Sequence, residues 1–450
     1  MSSSYDLTAV MAGYFDVHMV NSLLDHLREI KLYDAKLVTK EKIKTLSKTN
    51  LIDLIEDEYM KFQNDVELAA EFQQQKDILE SRRNEIFHNL DNVPDNVKKM
   101  KEFFAREDLI KQLRDEHNLN VDYISSNHGI TSDMLESYFR FSKFQYECGL
   151  YSDAEVMLEN YLSINQSHAN TSYLNALWGR LACRIVQVKW DLALTDLEKV
   201  KEAIDGRHIA PIDQLRQRAW VLHWGLLVYI NQRDGIDSLT DFFSDRVYLQ
   251  TLENLCPWLL RYYTAFVILS PNTRQNRLRE VLSEIQSISY QYSDPITEFL
   301  SSLFNQFDFD EAQIKLKECQ ELVKNDFFLQ IYAESFMKQA RLLICEMYCN
   351  INKHVDISML SQKLQLSEEE AEKWMVDIVR VSKSGPTYDA KIDSSDKRVT
   401  MSTPSKSSYQ SVIDKTKEIT VRSGILTSNL TAVLNEQSAL ITQIKLRRGR

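Results

Sequence analysis

Beyond Pro404 the chain places Tyr409, Val412, Thr416, Ile419, Ser423, Leu426, Leu430, Val433, Gln437, Leu440 and Ile444 at steps that alternate three and four. That spacing sets all of them on one seam of a single helix, sustained over about five heptads. At ~1.5 Å per residue the helix reaches roughly 50 Å. Thr416, Ser423 and Gln437 weaken the seam and can set register and partner choice. A helix cannot bury such a seam alone, so the pattern implies partner helices. Packing back on its own domain is the alternative. The candidate interface is Tyr409, Val412, Ile419, Leu426, Leu430, Val433, Leu440 and Ile444. The basic end, Lys445 to Arg450, reads as solvated more readily than as an RNA contact.

Just before the seam, residues 352–402 read as a winged helix. Ile357, Leu360 and Leu364 share one face of a short helix, and Gln365-Leu366-Ser367 is a turn. Ser367 with Glu370 three residues on is a capping box that starts a second helix, about 368–381, with Ala371, Trp374, Met375, Ile378 and Val379 apolar. Ser384-Gly385-Pro386 stops it. Two alternating strands follow, around Ala390–Ile392 and Val399–Met401, joined by the polar turn Ser394-Ser395-Asp396-Lys397. A DNA reader needs basic or amide side chains on the second helix. Here Glu368, Glu369, Glu370, Glu372 and Asp377 face Lys373 and Arg380, which repels phosphates. The hairpin, with Lys391, Lys397 and Arg398, is mildly basic but short. The unit reads as a protein-docking module whose strands offer an edge to a second copy or a paralogue, with Lys391 and Arg398 as candidate contacts.

Upstream, Tyr151-x-x-Ala154-x-x-x-Leu158 recurs as Trp190-x-x-Ala193-x-x-x-Leu197 and Phe309-x-x-Ala312-x-x-x-Leu316. This is the turn and second helix of a tetratricopeptide-like hairpin: the aromatic plugs the turn, and the small Ala lets two helices approach. Such hairpins stack into a right-handed solenoid. The expected division is an N-terminal helical region over 1–75, a linker or loosely packed helix over 76–100, the solenoid over 101–293, a helical block with the winged helix over 294–403, and the C-terminal helix over 404–450. A chain of 450 residues with only 10 Gly and 7 Pro fits long helices and short loops. The fold class is mostly α: a helical-repeat solenoid ending in a winged helix and followed by a long helix.

Chemistry is sparse. No Gly-rich phosphate cradle, Gly-x-Ser-x-Gly elbow or His-x-x-x-His pair occurs. Cys345 and Cys349, one turn apart near His354, sit in an apolar helix without a fourth ligand, so no metal and no cofactor is expected. His223 reads as a satisfied core histidine, and Asp308, Asp310 and Glu311 as a solvated loop. The chain is not expected to be an enzyme. Six scattered cysteines read as buried thiols, and no apolar run approaches a membrane span. On those grounds the chain reads as soluble and intracellular, and its net charge of −11 disfavours a nucleic-acid coat.

Helical repeats running unbroken into a winged helix and then a helical tail resemble the PCI domain, shared by components of the proteasome lid, the COP9 signalosome and translation initiation factor three. Tyr5-Asp6-Leu7-Thr8, Phe144-Gln145-Tyr146-Glu147-Cys148-Gly149, Asp294-Pro295-Ile296-Thr297-Glu298-Phe299 and Asn305-x-Phe307-Asp308-Phe309-Asp310 are similar to the e-subunit family of eukaryotic translation initiation factor three. So are Asn325-Asp326-Phe327-Phe328-Leu329, Glu369-Glu370-Ala371-Glu372-x-Trp374 and Asp389-Ala390-Lys391-Ile392-Asp393-Ser394. The segment between about 64 and 105 does not clearly resemble the family, and the C-terminus ends in a basic cluster instead of a longer polar tail. The resemblance implies a non-catalytic, cytoplasmic scaffold subunit, with 294–403 as its PCI core. Its partners would be other subunits, especially those with PCI domains, and the 40S ribosomal subunit. Any RNA contact would be weak or indirect, with no DNA and no membrane. A scaffold subunit of the proteasome lid or the signalosome is the alternative.

Overall fold

The computed structural model describes residues 5–61, 66–116, 121–165, 171–206, 210–233, 235–352, 354–356, 373, 376, 389–393, 398–402 and 408–448. The chain divides into two compact units, Met1–Ile344 and Cys345–Arg450. The first is a helical-repeat solenoid. Helices Ser132–Glu147, Tyr151–Ile164, Thr171–Val186, Trp190–Asp205 and Pro211–Ile230 each pack on the next.

Each of the three repeat motifs opens a helix at its aromatic residue: Tyr151–Ile164, Trp190–Asp205 and Phe309–Asn325. Ala154, Ala193 and Ala312 are fully buried, as close helix approach requires, and Leu158, Leu197 and Leu316 lie beneath them. The turns share a second feature. Two residues before each aromatic the backbone is left-handed: Gly149 at φ 84°, Val188 at 62° and Phe307 at 56°. In the first two turns a backbone bond reaches back five residues, from Leu150 N–H to Gln145 O (3.0 Å) and from Lys189 N–H to Arg184 O (2.9 Å). This is the Schellman closure of a helix end. In the third, the π-turn Ser302–Gln306 adds a residue, and Asp308 N–H reaches Ser302 O. Glycine meets the left-handed turn without strain, whereas a β-branched residue is held there against its steric preference. Val188→Gly should therefore raise stability, by about 1 kcal/mol. Urea unfolding of the two chains side by side checks it, with a higher midpoint at unchanged slope as the expected result.

Residues 5–30 run along the solenoid and tie distant repeats together. Asp16 caps helix Val17–Ile30 and accepts from Tyr146 Oη at 2.8 Å. His18 Nδ1 meets Tyr151 Oη at 2.9 Å. The Tyr14 carbonyl accepts from Trp224 Nε1, and the Tyr14 ring stacks 4.2 Å from His223. At the start of this segment Arg261, only 2% exposed, donates Nη2–H to the Tyr5 carbonyl (2.8 Å). The same guanidinium donates from Nε to Asp294 Oδ2 (2.7 Å) and from Nη1 to Asp326 Oδ2 (3.3 Å). Asp294 is also the N-cap of helix Pro295–Ser301, in a capping box with Thr297. Asp326 Oδ1 accepts the backbone N–H groups of Phe328 and Leu329. Three of the segments that carry the family likeness thus converge on one buried cation.

A second ionic hub holds helices Val17–Ile30, Ala35–Leu46 and Ile52–Lys61 together. The buried Glu58 carboxylate accepts from Lys42 Nζ (2.8 Å), Lys61 Nζ (2.7 Å) and Arg28 Nη1 (2.8 Å). Burial alone would push its pKa up, but the two lysine hydrogen bonds and the nearby Arg28 outweigh burial and hold it down to about 2. Folding therefore favours the ionised form. The stabilisation is complete above the unfolded value near 4.5 and is lost as pH falls from there toward 2. At neutral pH it amounts to about 3 kcal/mol. Glu58→Gln should be destabilised by about that much at pH 7, and the gap from wild type should close near pH 2. Urea titrations at several pH values measure it, and a gap that stays constant with pH would refute it.

Candidate assembly surfaces

The second unit carries a three-stranded antiparallel sheet in the order β1-β3-β2: β1 His354–Asp356, β2 Asp389–Asp393 and β3 Arg398–Ser402. The hairpin expected from the sequence forms with Asp389 opposite Ser402 and Asp393 opposite Arg398. β1 is not legible in the sequence. Three residues are too few to show alternation, and it joins the other side of β3 with His354 opposite Thr400 and Asp356 opposite Arg398. Lys391 therefore lies on an edge strand, and Arg398 on the central strand opposite an aspartate on each neighbour. Of the two winged-helix helices only Lys373 and Val376 fall within the described residues, both helical.

The tail is one helix, Ser408–Arg448, of 41 residues. At ~1.5 Å per residue it is about 60 Å long. Of its seam, Tyr409, Val412, Ile419, Leu426, Leu430 and Val433 stand at least half exposed, Tyr409 at 83% and Leu426 at 62%. Leu440 and Ile444 are on the same helix, but their side chains lie outside the described residues. Ile413 and Leu434, each one residue beyond a seam position, are also exposed and widen the apolar face on one side. Monomeric proteins seldom display so continuous an apolar surface; where it occurs it marks an interaction site.

The titratable groups weighed from sequence are occupied structurally. His223 Nδ1 donates to the Ala219 carbonyl (2.7 Å), and its Nε2 accepts from Trp258 Nε1 (3.1 Å). Burial pushes its pKa down to about 4, so the ring is neutral with both nitrogens engaged. Asp308 caps helix Phe309–Asn325 by accepting from the Asp310 and Glu311 backbone. Cys183, Cys256, Cys319, Cys345 and Cys349 are buried, Cys148 is half-buried, and none is in a disulfide. Among the described residues no cluster of three His, Cys, Asp or Glu side chains is placed to hold a metal, and no helix is long and apolar enough to cross a membrane.

Comparison with known proteins adds two domains and a family. The eIF3 subunit 6 N terminal domain matches residues 6–145, and the PCI domain matches residues 316–403. The E subunit of eukaryotic translation initiation factor 3 from Aspergillus niger is 34% identical over 436 residues, 95% of this chain and 93% of that protein. Its Caenorhabditis elegans counterpart is 36% identical over 428 residues, covering 93% and 95%. The chain belongs to the E-subunit family of eukaryotic translation initiation factor 3. The Brugia malayi member, 36% identical over 426 residues, agrees. The N-terminal domain match takes in the Glu58 hub and the strap over residues 5–30, apart from Tyr5. The PCI match takes in helix Ala333–Ile351 and the sheet, and ends just before the tail helix.

The sequence did not single out Arg261. The available signal was its isolation: helix Leu260–Leu269 is otherwise without charge, and every residue of it is buried. A lone guanidinium in such a run needs buried anions, and Asp294 and Asp326 supply them.

Proposed function

We propose that the chain is a non-catalytic scaffold subunit of the translation initiation factor 3 complex, working in the cytoplasm. It joins other subunits through the edge of its winged-helix sheet and through its C-terminal helix. Tyr409, Val412, Ile419, Leu426, Leu430, Val433, Leu440 and Ile444 form the helical contact, and Lys391, on the edge strand β2, lies in the sheet contact, whereas Arg398, on the central strand and flanked by β1 and β2, is not at that edge. The assembled complex, rather than this chain alone, engages the small (40S) ribosomal subunit and supports recruitment of messenger RNA. RNA contact by the chain itself is weak or indirect.

One observation carries this reading: a 41-residue helix whose described apolar side chains stand exposed along one face. A surface of that length and regularity is built for other helices. The net charge of −11 agrees, because an acidic chain gains little by approaching a polyanion directly. Sedimentation of a tagged chain from cell extract tests the reading. It should travel with the other factor subunits and with 40S particles. Movement only with proteasomes, and never with 40S particles, would contradict it.

A further inference from the structure

The tail helix lacks the local support that a free helix of its composition needs. Of the 21 residues from 411 to 431, nine are Val, Ile or Thr, five are Ser, Asn or Gly, and none is alanine. β-branched residues lose rotamer freedom in a helix, and Ser, Asn and Gly favour other backbone states, so two-thirds of this stretch opposes helix formation. In proteins the balance is normally restored by packing one face. Here every described side chain from Val412 to Leu434 is exposed. The ion pair Glu418–Arg422 (2.5 Å) sits at the surface, where such pairs add little. The hydroxyls of Thr416, Thr420, Thr427 and Thr431 turn back onto carbonyls of the preceding turn, at 2.7–3.0 Å, which does not strengthen the helix. Gly424 lies mid-helix with nothing within 4 Å of where a Cβ would stand.

Resting on the scaffold reading above, we infer that the tail folds as it assembles. In the free chain residues 408–434 form a marginal helix that opens readily, and partner helices make it stable by covering the seam. The ordering is drawn from the binding energy, so affinity is lower than the apolar area suggests. An unassembled chain then presents an open, cleavable tail, and an assembled one does not.

Amide hydrogen exchange on the full-length chain, free and within the purified complex, tests this. In the free chain the amides of 412–434 should exchange within about tenfold of the unstructured rate, and in the complex about a thousandfold more slowly. Equal strong protection in both would overturn the inference and leave the scaffold reading standing. Fast exchange in both would overturn the inference and the tail as a contact, while sedimentation with the other subunits would still decide the scaffold reading separately. Gly424→Ala gives a second readout, since its methyl meets open space. The variant should gain helical ellipticity when free and assemble about fivefold more tightly, the ~1 kcal/mol by which alanine exceeds glycine converted at 1.4 kcal/mol per tenfold. Unchanged or weaker assembly would count against coupled folding.

Discussion

Arg261→Met should lose about 3–5 kcal/mol of stability, enough to unfold much of the first unit. The methionine fits the space of the arginine stem. The loss arises from what remains: the buried Asp294 and the largely covered Asp326, both stripped of their counter-charge. The Tyr5 carbonyl also loses its donor, so the N-terminal strap comes free at its first anchor. A control separates charge from packing. Combining Arg261→Met with Asp294→Asn and Asp326→Asn removes the whole buried cluster. The asparagine introduced at position 294 can still cap helix Pro295–Ser301, because its amide oxygen accepts the Thr297 N–H as the carboxylate does. The triple variant should regain most of the loss, as buried ionic groups replaced together often do. Urea unfolding of wild type, the single variant and the triple variant measures it. A triple variant no better than Arg261→Met would mean that the guanidinium's shape, rather than its charge, holds the hub.

The parts of this protein that could be read from sequence are those where a period or a fixed spacing repeats. The aromatic-x-x-Ala-x-x-x-Leu motif located three helix starts, because a small residue at a close crossing and an aromatic at a turn are local requirements. The heptad seam located the tail, because a helix displays its period along its whole length. The hairpin of β2 and β3 was visible from alternation on either side of a polar turn. Tertiary choices were hidden. The left-handed residue before each repeat aromatic is glycine once, valine once and phenylalanine once, so no residue type announces it. The path of residues 5–30 along the solenoid rests on contacts more than 100 residues apart, such as Tyr146 with Asp16 and Tyr14 with Trp224. β1 was too short to signal itself. Of the candidate interface, the sequence supplied the residues, and the structure adds that Tyr409, Val412, Ile419, Leu426, Leu430 and Val433 stand exposed on the tail helix.

Leu426→Asp combined with Leu430→Asp should release the chain from its complex and leave its fold intact. The two leucines are 62% and 61% exposed, so the substitutions remove no buried contact within the chain. Free stability should change by less than about 0.5 kcal/mol, as for other surface positions. In a partner bundle the same positions become core. Each carboxylate would have to enter a dry interface, at a cost of several kcal/mol, in addition to losing about 2 kcal/mol of leucine burial. A loss of that size lowers affinity by at least about a thousandfold. Lys417→Asp, on the far side of the same helix from Leu426, changes charge without touching the seam and should assemble normally. It controls for charge alone.

The most direct measurement is therefore a sucrose gradient of extract from cells that carry either the tagged wild-type chain or the Leu426→Asp/Leu430→Asp chain. Wild type should sediment with the other initiation-factor subunits and reach the 40S fractions. The double variant, folded and present at equal amount, should remain at the top with neither. A double variant that still sediments with intact partners would contradict assembly through the C-terminal helix.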